Sequence, residues 1–164
     1  RAAKMVEEDL GDCPNAIPRY IAIERWYPRS SYTDDATWRQ AGCFRKMGDL
    51  DREYWQLEKL FGVREISWVM ADYESKYYVP ALLRMAEIRE SQGNIPAAIT
   101  AYQRFVDTYP LSLRIDEVGD HLVELLVGQG RIREAIDMVG WLQRNKPDSR
   151  HTARASARLH EAKP

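Results

Sequence analysis

Apolar residues recur along this chain at spacings of three, four and seven, with charged residues between them, and Gly or Pro interrupts the pattern at intervals. That period belongs to amphipathic helices packed on one face. Leu82, Met85 and Ala86 form one stripe, and Ala98, Tyr102, Phe105 and Tyr109 form the next. Between them lies Gln92-Gly93-Asn94, where Gly93 suits the left-handed position after a helix, and Pro110 stops the second stripe. No sustained two-residue alternation occurs, nor a hairpin dipeptide between β-branched runs, so no strand is predicted.

The same cadence returns along the chain. A Gly is followed five residues later by Ala-Ile, and a Pro stands twelve residues after that Ala: Gly11, Ala16-Ile17, Pro28; Gly93, Ala98-Ile99, Pro110; Gly130, Ala135-Ile136, Pro147. A weaker copy starts at Gly48. Each copy reads as helix, tight turn, helix, and such self-similarity predicts stacked units rather than one closed core. The predicted architecture is all-α, a right-handed superhelix of about four repeats over 1–30, 31–65, 76–112 and 113–149, closed by a capping helix over 150–161. In the last full unit Leu122, Leu125 and Leu126 line the first helix, and Ala135, Val139 and Leu142 the second. The first unit keeps Ala16, Tyr20 and Ile23 in its second helix, while Met5, Val6 and Leu10 give a thin stripe before it. The second unit departs most: Glu53 stands where the others carry Ala, and no Pro closes it. Residues 63–78 form an irregular insertion with Trp68, Tyr73, Tyr77 and Tyr78. It is expected either to extend the second helix or to form another, with its aromatics filling the junction or offering a partner patch.

At 164 residues with a net charge of −1, the chain lacks the basic face that a general nucleic-acid binder needs. No apolar run approaches the roughly 20 residues of a membrane-spanning helix. The first residue is Arg1, as expected of a processed form or an excerpt. Leu10-Gly11-Asp12-Cys13 lacks the preceding apolar segment of a lipoprotein cleavage site. Cys13 and Cys43 are the two cysteines, too few for a disulfide scaffold. Antiparallel stacking brings their regions together, either as a disulfide in an oxidising compartment or as two small buried residues.

These residues resemble the tetratricopeptide repeat (TPR) family. That family places a small residue in the first helix, Gly at the turn, Ala and then an aromatic in the second helix, and Pro at the end. Here the matching positions are Ala41 and Ala86, with Val123 less suitable; the four glycines; Ala16, Ala98 and Ala135; Tyr20 and Tyr102; and the three prolines. The spacing from Gly11 to Gly48, and again from Gly93 to Gly130, is 37 residues, three more than the family's usual 34, and the extra residues follow Pro in Tyr27-Pro28-Arg29-Ser30-Ser31-Tyr32 and Tyr109-Pro110-Leu111-Ser112. This is similar to a bacterial subgroup that includes outer-membrane assembly lipoproteins and periplasmic repeat proteins associated with the Tol–Pal system. The resemblance implies a TPR-like α-solenoid, a non-enzymatic scaffold for a protein or peptide partner, and a periplasmic or outer-membrane-associated location, with the cytoplasm as the alternative.

The resemblance also implies binding through a concave surface lined by first helices. The residues expected there are Asp35, Trp38, Arg45 and Lys46 in the second unit, Leu83, Glu87 and Glu90 in the third, and Glu117, Asp120 and Glu124 in the fourth. Their charges suit a basic or amphipathic peptide, with a merely solvated acidic face as the bland reading. Acids replace the cations and amides of a clamp that seizes a C-terminal carboxylate, which excludes that variant. The last 21 residues carry six cations against two acids, a basic end suited to a cap or to contact with the acidic groove of a second copy. No cofactor is expected. The three His have no metal-ligand spacing partner, and there is no Gly-rich phosphate loop or nucleophile elbow. Two alternatives stand beside the scaffold: the substrate-recruiting repeats of a larger enzyme, and a self-assembling structural array.

Overall fold

The computed structural model of the protein describes residues 2–8, 11–28, 30–66 and 75–162. Among them there are nine α-helices and no strand. They are α1 (Ala2–Glu8), α2 (Cys13–Trp26), α3 (Ser31–Lys46), α4 (Leu50–Ile66), α5 (Tyr78–Ser91), α6 (Ile95–Thr108), α7 (Ile115–Gly128), α8 (Ile132–Asn145) and α9 (Arg150–Glu161). The chain divides into two compact units, Arg1–Ile88 and Arg89–Pro164.

The turns follow from local chemistry. Gly11, Gly48, Gly93 and Gly130 have φ of 64°, 74°, 73° and 69°, a left-handed backbone that a side chain would strain. After the first three comes an Asp or Asn that starts the next helix. The side chains of Asp12, Asp49 and Asn94 accept the backbone N–H of Asn15, Arg52 and Ala97 at 3.1, 2.9 and 3.2 Å. Arg131 follows Gly130 and makes no such cap. α2, α6 and α8 each end two residues before the Pro at 28, 110 or 147.

In the N-terminal unit α1 packs on α2, α2 on α3, and α3 on α4. Ala3, Val6, Cys13, Ala16, Tyr20, Ala36 and Cys43 form one buried cluster there. Cys13 and Cys43 are joined as a disulfide between α2 and α3, with Cα atoms 5.2 Å apart. The sequence left that pairing open. Of the insertion, residues through Ile66 continue α4 and Tyr78 begins α5; Trp68 and Tyr73 lie outside the described residues. Tyr78 is buried, its ring 5.5 Å from that of Phe61.

In the C-terminal unit α7 is central, packed against α6, α8 and α9. Phe105, Ile115, Leu122, Leu126 and Leu142 are fully buried. Ala16, Ala98 and Ala135 are likewise fully buried, as their small size at a helix crossing requires. The close approach in α7 falls at Gly119 rather than Val123: a Cβ on Gly119 would lie 2.9 Å from the Leu142 Cδ2.

Candidate functional site

The N-terminal unit carries an open cleft of about 710 Å³. Its floor is apolar, from Ala3, Ile23 and Ala36, and its walls hold four tyrosines, Tyr20, Tyr27, Tyr32 and Tyr77. Tyr27 and Tyr32 stand at the α2–α3 turn and are 62% and 68% exposed, unusual for large rings with no role in the core. Thr33 fixes this turn by donating to the Tyr27 carbonyl at 2.6 Å, and Ser30 caps α3 by accepting the Tyr32 N–H at 3.3 Å. The sequence read Tyr27-Pro28-Arg29-Ser30-Ser31-Tyr32 as a connection only. Its alternation of aromatic and turn residues was the available signal.

The charged groups at the cleft are held in place. Asp35 accepts the Tyr77 hydroxyl and pairs with Lys76 Nζ at 3.5 Å. Burial, reinforced by that bond to Asp35, raises the Tyr77 phenol above its ordinary value. Arg39 bridges Glu7 at 3.2 Å and Glu8 at 2.9 Å. The neighbouring Asp34 is buried on α3, and that burial lifts its carboxyl above the ordinary range.

Trp38, expected on the binding face, is half-buried and stacks on Tyr77, centroids 5.1 Å apart and planes 16° apart. The Arg45 guanidinium lies 5.9 Å from the Trp38 ring while its Nε donates to Glu53 at 2.6 Å. Lys46 pairs with Glu7 at 3.0 Å. Glu87 is exposed and takes Arg84 Nη1 at 3.1 Å. Leu83 is only 3% exposed, which corrects its expected place on an open surface: its position on α5 turns it into the core.

In the C-terminal unit the acids are engaged from within. Glu90 accepts the Tyr102 hydroxyl at 3.0 Å and meets His121 Nε2 at 2.8 Å. His121 also lies 3.4 Å from Glu124, and its ring sits edge-on to Tyr102. Glu124 reaches Arg158 Nη2 at 3.4 Å. The Arg114 fork holds Glu117 at 2.9 and 3.1 Å, and that bond lowers the carboxyl below its ordinary value. Asp120 overturns its expectation. It is fully buried under α9, where Arg158 Nη1 donates to it at 2.6 Å, Arg154 pairs with it, and His151 Nδ1 lies 3.4 Å away. A carboxylate so enclosed offers nothing to a partner.

No group of three or more His, Cys, Asp or Glu able to hold a metal occurs among the described residues. No helix of the described residues is long and apolar enough to cross a membrane.

The tetratricopeptide repeat family matches residues 80–112, the stretch that holds Gly93, Ala98, Tyr102 and Pro110. No curated protein matches the sequence. Two solved structures of nearly identical TPR-like repeats, assigned to a Podosopora anserina kinesin light chain, share the fold. The first, a single-substitution variant, superposes with a TM-score of 0.60 at 14% identity, over 98% of this chain and 81% of that one. The second gives 0.61 at 14% identity, over 98% and 82%. The fold is therefore that of a TPR-like α-solenoid, and repeats of this kind generally mediate protein–protein interaction.

Proposed function

We propose that this chain is a non-enzymatic scaffold that holds a peptide segment of a protein partner within a bacterial envelope complex. The observation that carries the reading is the Tyr-walled cleft of the N-terminal unit, with Tyr27 and Tyr32 exposed beside an apolar floor. Rigid rings of this kind supply contact area at small entropic loss, and Tyr is enriched at interface hot spots. Trp38 and Arg45 extend the same unit's binding surface, together with Glu87. Glu90, Glu117 and Glu124 are a second set in the C-terminal unit, where their internal partners leave them to set direction rather than affinity. The four helix pairs, α1–α2 through α7–α8, serve as the repeats, and α9 is the solubilising cap. The Cys13–Cys43 disulfide favours an oxidising compartment, as the periplasm is.

A photo-crosslinking residue at position 32, expressed in the source organism, tests this. A discrete partner recovered from the envelope fraction is expected, with far less from the same residue at position 161 on α9. Equal trapping at both positions, or none at 32, refutes the site. A partner recovered only from cytosol refutes the compartment.

A further inference from the structure

A second trough, of about 560 Å³, lies in the C-terminal unit between α6 and α8, away from the first helices. On α6 it is lined by Gln103, Val106 and Asp107, with Pro110 just past the helix, and on α8 by Glu134, Asp137, Met138, Trp141 and Arg144. Both sets fall at helical spacings of three and four, so each is one continuous stripe. Val106 and Met138 are buried and form the floor; Trp141 is half-buried and forms a wall. Three carboxylates face this trough against one cation. Glu134 is taken up by Arg131, whose Nε donates at 2.7 Å. Among the described residues Asp107 accepts a neutral amide, Gln103 Nε2, at 3.0 Å and has no ion pair. Asp137 and Arg144 have no ion pair among the described residues.

We propose that this outer trough is a second docking site, and that it takes a basic peptide segment of a partner protein. One apolar side chain of that segment sits on Val106, Met138 and Trp141. A Lys or Arg next to it meets Asp107 and Asp137, and its charge also gains from the Trp141 ring face. Arg144 at the far end of the α8 stripe repels a second cation there and fixes the direction of the segment. Charge complementarity decides the occupant: an acidic segment would face three carboxylates, and a purely apolar one would leave two of them desolvated without a counter-ion.

The site stands independently of the Tyr-walled cleft, so the two are separable. A random dodecapeptide library displayed on phage is panned against the full chain, and the consensus peptide is synthesised. Lys or Arg adjacent to an aromatic or aliphatic residue is expected in the consensus. Asp137→Lys, an exposed change, should weaken the synthetic peptide about tenfold, and Trp141→Ala should weaken it further. Tyr32→Ala should leave it unchanged, and raising salt should weaken it. A consensus without cations, equal binding to Asp137→Lys, loss of binding in Tyr32→Ala, or a library from which nothing prefers the native chain over Asp137→Lys each overturns the proposal.

Discussion

Arg84 of α5 closes a fork on Glu53 of α4, donating from Nε at 2.7 Å and from Nη2 at 3.0 Å to the two carboxylate oxygens. Glu53 is fully buried and stands where the other second helices carry Ala. The substitution is tolerated because the guanidinium arrives with matched geometry and Arg45 adds a third bond. Hydrogen bonding to Glu53 outweighs partial burial and raises the Arg84 pKa, so its guanidinium stays charged. Arg84→Ala should cost about 3 kcal/mol, because it leaves a buried charge short of its partner. Pairing it with Glu53→Ala should recover at least half of the loss. Chemical denaturation of the single and double variants gives the coupling; additive losses would show that the pair is not a unit.

Asp120 holds α9 to α7 through Arg158 and Arg154. Asp120→Asn should remove about 3 kcal/mol and loosen α9 before the rest of the C-terminal unit. Hydrogen exchange is expected to rise first in 150–161. Uniform exchange across α7, α8 and α9 would mean that the cluster does not specifically seat the last helix.

The Cys13–Cys43 bridge closes a loop of 30 residues. Replacing both with Ala should destabilise the N-terminal unit by about 3 kcal/mol, and a reducing agent should bring the native chain to the same melting behaviour. Two thiols that react with an alkylating agent in the unreduced, folded protein would contradict the bridge.

Glu7 sets an acid limit on the N-terminal unit. Burial pushes its pKa up, but hydrogen bonds from Tyr20, Lys46 and Arg39 prevail and hold it below the ordinary value of 4.5. The folded chain then binds fewer protons at this carboxyl than the unfolded chain does. Its stabilisation is complete above the ordinary value and is lost as pH falls through the lowered one. Denaturation from about pH 6 to pH 3 should show a steeper acid loss in the native protein than in Glu7→Gln. Parallel curves would remove Glu7 from that role.

The repeat was legible in residues that act within a few positions of themselves. The left-handed Gly93, the closing prolines and the small Ala of three second helices obey local steric rules, and each stands where the repeat placed it. The Tyr20 and Tyr102 hydroxyls both reach a Glu on the preceding helix, Glu7 and Glu90, which spacing did not reveal.

By itself, then, the sequence determined that this protein is a series of paired helices, because helical period and turn chemistry are short-range. Tertiary structure alone decided which polar residues are enclosed and which are offered. Asp120 meets Arg158 across 38 positions, Glu53 meets Arg84 across 31, and Cys13 meets Cys43 across 30. A helical stripe shows which face is polar, but the solvent or partner on that face depends on whichever distant helix packs there. For the same reason Leu83 and Asp120 left the expected surface, while Tyr27 and Tyr32 came to wall a cleft.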